Sequence, residues 1–419
     1  MKKAHSKKIF FGWWVLAALC SIYATVNGIV TLSLKRFYPS LIETFGWTQS
    51  EVTQPISIFY FIIAFLTPFI GAALDRGNPK RIILAGATLI LIGLVGMSQM
   101  SSLNHFMAIY IVFSFGVAGA GMASSMYILT RWFRRHRGKA VGILLLGGSL
   151  GAAFFNKVTG DAIDMIGWQN TTLLLAVLAF LFMIIPWTLV RTDPSEKGLF
   201  PDGIERNSGH KSIQDGPSLA QAFRSPELYL IFLTTAALWF CIIGFGQHQD
   251  IFFQKELGLS SSKVTNVGSA LFLFGVVGKL IFGFLSDSFN KKSIMAWSIL
   301  LLIIGNLVLY IIAIKTIELS PYWYAFTYGI AYSGVFTMIQ IMIAELYSGP
   351  SYGKILGVVL TIDTLASVAG IVVLGKMSDY SGSYVTSIQL MIGLCLTALI
   401  LFLLVRVKSR STLIGNKKD

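Results

Sequence analysis

Apolar stretches of roughly 20 residues recur along the whole chain, each long enough to cross a ~30 Å hydrocarbon layer as a helix. About twelve can be read, each near the ~20-residue length of a span: 10–33, 51–74, 82–101, 105–129, 140–160, 170–190, 227–250, 264–285, 293–314, 321–346, 355–377 and 384–405. A backbone in lipid must satisfy its own hydrogen bonds, so only helices and closed barrels span a bilayer. The alternating strands of a barrel are missing from the sequence. The expectation is an all-α membrane protein with twelve transmembrane helices. Composition agrees, because only 12% of the 419 residues are charged, about half the ~25% of a soluble domain. The first stretch follows Lys2, Lys3, Lys7 and Lys8, as a signal peptide would. It is too long for one and lacks a small-residue cleavage site, so it reads as the first span.

The net charge of +14 raises the question of nucleic acid. The placement of the charges answers it. With both termini inside, about 25 of the 33 Lys and Arg fall at cytoplasmic positions, the positive-inside bias of a membrane protein. They lie in the N-terminal tail, Arg76–Arg81, Arg131–Lys139, Arg191–Arg224, Lys291–Lys292, Lys354 and the C-terminal tail. The expected setting is a multi-pass protein of a bacterial cytoplasmic (inner) membrane with both termini cytoplasmic. Lipid is its partner and nucleic acid is not. Cys20, Cys241 and Cys395 fall within spans and form neither a disulfide framework nor a metal site. Met122/Met126 and Met338/Met342 have i, i+4 spacing and read as core packing rather than copper ligands. Walker, HExxH and nucleophile-elbow motifs are missing. The chain reads as neither an enzyme nor a cofactor protein.

The chain repeats itself. Gly71-Ala-Ala-Leu-Asp75-Arg76-Gly77-Asn-Pro-Lys80-Arg81 follows span two, and Gly283-Phe-Leu-Ser-Asp287-Ser-Phe-Asn-Lys291-Lys292 follows span eight. Gly138-Lys139-Ala-Val-Gly142 opens span five and Gly353-Lys354-Ile-Leu-Gly357 opens span eleven. Gly160, Asp164 and Gly167 close the first of these with the spacing of Gly375, Asp379 and Gly382 in the second. The offsets of about 212 and 215 residues imply two six-helix halves in parallel orientation, a repeat of the kind found in transporters. The halves are residues 1–190 and 226–406. A polar cytoplasmic linker, 191–225, joins them, and 407–419 form a cytoplasmic tail. A site between two such halves can open to either side as they rock.

The Gly71–Arg81 stretch resembles the loop motif between helices two and three of the major facilitator superfamily, which implies that fold. Further stretches are similar to the monocarboxylate porter and oxalate/formate antiporter branch. They are Gly12-Trp13-Trp14, Phe45-Gly46-Trp47, Trp132–Ile143, Pro194–Gly203, Ala222–Pro226 and Gly375–Tyr384.

Asp75 and Arg76 lie at a helix end, where carboxylates cap helices and pair with arginines such as Arg131. Asp75, Arg76, Arg131 and the repeat counterpart Asp287 are assigned to an inner gate. Lys279 is eight residues before Asp287, so about 12 Å from the cytoplasmic end at ~1.5 Å per residue. That depth approaches the midplane of a ~30 Å core. Intramembrane charges are expensive and functional by default. The repeat counterpart of Lys279 is Thr67, so the charge is not a scaffold feature. The resemblance implies a substrate-binding arginine at this position, and lysine departs from it. Asp363 lies about 13 Å into span eleven by the same rise, and its counterpart is Gly148. Relatives of the oxalate/formate type carry a lysine there. Lys plus Asp is formally neutral, which fits a monoanion carried with a proton better than a dianion. Asp363 is expected to pair with Lys279 in the empty site and to take up a proton when substrate displaces it.

His248, at the outer end of span seven, is a candidate proton relay or outer-gate residue because imidazole titrates near neutrality. Tyr328, Tyr332 and Phe336 share one face of span ten at four-residue spacing. The resemblance places helix ten against the cavity, so all three are assigned to the substrate site. The reading is a monomeric secondary transporter of a small organic anion, such as lactate or pyruvate, with proton symport. Anion exchange, proton-coupled export of a larger metabolite or drug, and a non-transporting sensor are the alternatives.

Overall fold

The computed structural model describes residues 10–203, 217–315 and 319–406. The N-terminal lysines, part of the linker and the tail 407–419 lie outside the described residues.

Among the described residues, eleven helices are long and apolar enough to cross a membrane. They are labelled α1 (Phe11–Phe45), α2 (Glu51–Arg76), α3 (Pro79–Ser98), α4 (Leu103–Trp132), a 51-residue helix Arg137–Trp187, α7 (Pro226–Glu256), α8 (Ser262–Ser288), α9 (Lys291–Ile314), α10 (Pro321–Tyr347), α11 (Tyr352–Ser381) and α12 (Val385–Leu404). The 51-residue helix is two spans, α5 (137–166) and α6 (168–187), broken at Gly167 with φ 77° and ψ 165°. That left-handed φ suits glycine, which has no Cβ to clash. The expected twelve segments are thereby present, in an all-α multi-span architecture.

Local chemistry sets the boundaries. Thr48 and Glu51 form a reciprocal capping box before α2, with the Glu51 carboxylate accepting from the Thr48 amide at 2.8 Å. Asn78 caps α3 ahead of Pro79, and Asn290 caps α9 by accepting from the Lys292 amide at 2.9 Å. Large apolar side chains such as Phe61, Phe65 and Phe69 on α2 are exposed. Ser114, Ser124, Thr234, Asn306 and Gln340 are fully buried. Apolar outside and polar inside is the arrangement a lipid solvent selects.

The contacts group the chain into two compact units. The first is Met1–Leu219 with Lys279–Ser288 and Tyr347–Thr364. In it α1 and α5 approach so closely that a Cβ on Gly28 would come 2.5 Å from the Gly151 carbonyl oxygen. The second is Ala220–Gly278 with Phe289–Leu346 and Leu365–Asp419. In it α7 meets α10 through a Tyr324–Gln249 hydrogen bond of 3.1 Å, and α9 meets α12 through Asn306 and Cys395 at 3.5 Å.

Candidate functional site

In the first unit, the two copies of the loop motif do the same job. The Asp75 carboxylate, at the end of α2, accepts from the backbone amides of Gly353 and Lys354 at 2.8 and 3.0 Å. The Asp287 carboxylate, at the end of α8, accepts from Gly138 and Lys139 at 2.7 and 2.9 Å. Each aspartate therefore caps the first turn of a helix, where unsatisfied N–H groups and the helix dipole favour an anion. Glycine at 138 and 353 permits the approach. A Cβ on Gly138 would overlap the Gly283 carbonyl oxygen, and one on Gly353 would overlap that of Gly71.

Of the other expected gate residues, Arg131 is close enough to act electrostatically on the Asp75 carboxylate. Arg131 donates to the Tyr127 hydroxyl at 2.7 Å, stacks on its ring and faces Asp193 at 3.7 Å. Arg76 is exposed at the end of α2. Asp202 was not singled out by the sequence reading, yet it braces the same end of α5. Its carboxylate accepts from the amides of Arg134, Arg135 and His136 at 2.9, 2.7 and 3.2 Å. It does so from a left-handed φ of 59°. Its sequence signal lay in the Pro194–Gly203 stretch, which carries the branch resemblance without marking Asp202 as a cap.

The same symmetry continues deeper. A Cβ on Gly142 would lie 2.9 Å from the Lys279 carbonyl oxygen, and one on Gly357 would lie 2.7 Å from that of Thr67. Lys279 and Thr67 thus occupy equivalent packing positions with different side chains. Lys279 is 7% exposed, and its ammonium donates to the Ser149 hydroxyl on α5. Ser149, 4% exposed, has the Leu145 carbonyl as its own acceptor at 3.5 Å. Its signal was slight, one hydroxyl next to the small residues Gly147 and Gly148. Asp363 belongs to the same unit and is 4% exposed. The first unit therefore holds a buried cation and a buried carboxylate, groups suited to an anion and to a proton.

The remaining candidates belong to the second unit. The rings of Tyr324 and Tyr328 are 4.9 Å apart, and those of Tyr328 and Tyr332 are 6.1 Å apart. Phe336 meets Trp239 of α7 edge-on at 5.3 Å. Tyr328 is buried, whereas Tyr332 is half-buried. His248 is held at both ring nitrogens, with Nε2 2.8 Å from the Ile371 carbonyl and Nδ1 2.9 Å from the Tyr384 hydroxyl. A carbonyl only accepts, so Nε2 carries the proton, and in the neutral ring Nδ1 accepts from the tyrosine. Glu256 fixes the neighbouring backbone by accepting from the Tyr384 amide at 2.6 Å.

The profile described as Major Facilitator Superfamily matches residues 9–262 and 249–418. An uncharacterized MFS-type transporter, YcxA of Bacillus subtilis, is 22% identical over 91% of this chain and 91% of its own length. The Fujikurins efflux protein of Gibberella fujikuroi is 22% identical over 91% and 79%. Monocarboxylate transporter 13 of Bos taurus is 23% identical over 90% and 85%. These names span different solutes and distinguish no one branch. Two solved structures share the fold. A bacterial homologue of the iron transporter ferroportin in the outward-facing state has a TM-score of 0.72, covering 94% of this chain and 99% of that one, at 12% identity. The transporter FucP in the outward conformation has a TM-score of 0.71 with the same coverage, at 13% identity. The chain belongs to the Major Facilitator Superfamily and is a multi-span, secondary-active transporter of a small solute rather than an enzyme.

Proposed function

We propose that the transported solute is a small organic anion, a monocarboxylate of the lactate or pyruvate type, carried by proton symport through alternating access. The observation that carries this reading is the buried Lys279 ammonium on Ser149, in the unit that also buries Asp363. An ammonium at membrane depth costs about 2.5–3.5 kcal/mol on insertion scales, a cost that an anionic ligand offsets. Lys279 is the substrate's cationic anchor and Ser149 holds it in position. Asp363 is the proton carrier, because a carboxylate in low dielectric gains from neutralisation when its cation turns to another anion. Asp75 and Asp287 keep the cytoplasmic ends of α2, α5, α8 and α11 together, and transport requires their release. The positive-inside charge pattern supports cytoplasmic termini. The resemblance to the monocarboxylate porter branch and the name of the Bos taurus relative support the substrate class.

The test is uptake of labelled lactate, pyruvate, formate and oxalate into proteoliposomes under an imposed pH gradient. Accumulation of lactate or pyruvate driven by an acidic exterior is expected. Oxalate uptake indifferent to pH would overturn the neutral-site argument. The name of the Fujikurins relative favours a second reading, export of a larger metabolite, which predicts no monocarboxylate flux in this assay.

A further inference from the structure

The first unit carries an open groove of about 310 Å³ between α1, α5 and α6. Small residues, Ala24 on α1 with Gly147 and Gly151 on α5, lie at its base. A Cβ on Gly151 would overlap the Ala24 backbone, so the two helices touch there. The exposed side chains of Leu150, Phe154 and Phe182 rise around it. Its polar groups all turn to backbone carbonyls. Ser21 donates to Phe182 at 2.7 Å, Thr25 to Ser21 at 2.8 Å, and the Cys20 thiol to Ile143 at 3.3 Å. The surface left to an occupant is therefore hydrocarbon. Phe182 stands in a π-helical turn, Phe180–Ile184, and α1 passes from Thr25 into another such stretch, Val26–Ser33. Turns of this kind are rare and frequently mark functional sites.

At ~1.5 Å per residue, Cys20–Thr25 lie about 14–21 Å along α1 from Phe11, and Arg36 lies about 38 Å along it. A hydrocarbon core is ~30 Å thick and a bilayer ~40–45 Å with its headgroups. The groove thus falls among the acyl chains of the leaflet far from Phe11, and Arg36 falls among that leaflet's headgroups. Arg36 is exposed, and its Nε donates to the Asn156 side-chain oxygen at 2.8 Å. Asn156 follows the groove residues Phe154 and Phe155 on α5 and donates in turn to the Leu32 carbonyl at 3.4 Å. The guanidinium is thereby held at the mouth of the groove. Its terminal nitrogens have no partner among the described residues, and Lys35 beside it is also exposed. An open guanidinium fork matches the oxygens of a phosphate.

We propose that this groove and Arg36 form a binding site for one anionic phospholipid, with an acyl chain between α1, α5 and α6 and the phosphate on Arg36. A glycerol headgroup leaves the net negative charge of the phosphate to Arg36 and Lys35. A choline headgroup brings a cation of its own and is repelled by them. The site is independent of the transported solute.

The experiment titrates the full chain, purified in a neutral detergent, with phosphatidylglycerol and with phosphatidylcholine of the same acyl chains. Bound lipid is counted by native mass spectrometry. The wild type should bind one phosphatidylglycerol about fivefold or more tighter than phosphatidylcholine, the weight of one arginine near an anionic headgroup. Arg36→Gln should lose that preference. Lys157→Gln should keep it, because that exposed cation is paired with Asp161 at 2.9 Å. Leu150→Trp should weaken both lipids by filling the groove. All three side chains are exposed, where substitution leaves folding intact. Equal wild-type affinity for the two lipids, or equal effects of Arg36→Gln and Lys157→Gln, would overturn the site. So would displacement of the lipid by sn-glycerol 3-phosphate at the same concentration, since the acyl chain would then contribute nothing. A wild-type dimer that Leu150→Trp converts to a monomer would overturn it too, by giving the groove to a second copy.

Discussion

Gly138 donates its amide proton to Asp287 at 2.7 Å, and their repeat counterparts, Gly353 and Asp75, make the same bond at 2.8 Å. Two motif copies about 212 and 215 residues apart in sequence thus converge on one geometry used twice. In each, an aspartate ending one helix caps the first turn of another, and a glycine allows the contact. On the proposed alternating-access reading these bonds break and remake in the conformational step and take no part in solute recognition.

Asp75→Ala should therefore impair transport while leaving affinity nearly intact. Hydrogen bonds to a charged group contribute about 1.5–3 kcal/mol each, and Asp75 accepts two from backbone amides. Initial-rate uptake should show Vmax falling roughly tenfold or more, with KM within about twofold. An equal loss of affinity would place Asp75 in the solute site instead.

Gly353→Ala tests the same contact through packing. The added Cβ meets the backbone carbonyl of Gly71, which has no rotamer to escape into. Overpacking of this kind costs about 1–3 kcal/mol. The variant should expose the ends of α2 and α11 that meet at this contact to a membrane-impermeant thiol reagent at a cysteine placed there, and labelling above the cysteine parent is the expected readout.

The repeat, the spans and the capping aspartates were legible in the sequence because glycines, prolines and charges at helix ends follow fixed local rules. The break at Gly167 lay inside a motif already read as a span terminus. Ser149 and Asp202 were not legible. Ser149 matters because α8 brings Lys279 against α5, a contact between residues 130 positions apart that no local pattern encodes. Asp202 lies in the Pro194–Gly203 stretch, whose resemblance marks the segment but not the three amides that its carboxylate caps.

Asp202 offers a stability test. Asp202→Gly relieves the left-handed φ of 59° but removes the acceptor of three backbone amides at the start of α5. Loss of the cap should outweigh the relief, lowering stability by about 1–3 kcal/mol. Asp202→Asn tolerates the same backbone and keeps one acceptor oxygen, so its Tm should fall between those of the wild type and the glycine variant.

Lys279→Met should abolish anion uptake, and Lys279→Arg should retain part of it, since the charge survives and the geometry changes. Ser149→Ala removes the hydroxyl that accepts from the ammonium. A hydrogen bond to a charged group contributes about 1.5–3 kcal/mol, so KM should rise roughly tenfold with the cation still present. Retention of wild-type KM in Ser149→Ala would show that the hydroxyl does not position Lys279 for substrate.

Asp363→Asn removes the proposed proton carrier without changing its shape. If Asp363 couples transport to protons, the variant should no longer accumulate lactate against its gradient when the exterior is made acidic. Exchange of internal for external lactate needs no net proton movement and should persist at a rate within roughly tenfold of wild type. The double variant Lys279→Asp with Asp363→Lys separates this from a fixed ion pair. A purely structural pair survives reversal, so full transport in the double variant would favour that role. Loss of both accumulation and exchange is expected, because the anchor and the proton carrier sit on different helices and do different chemistry.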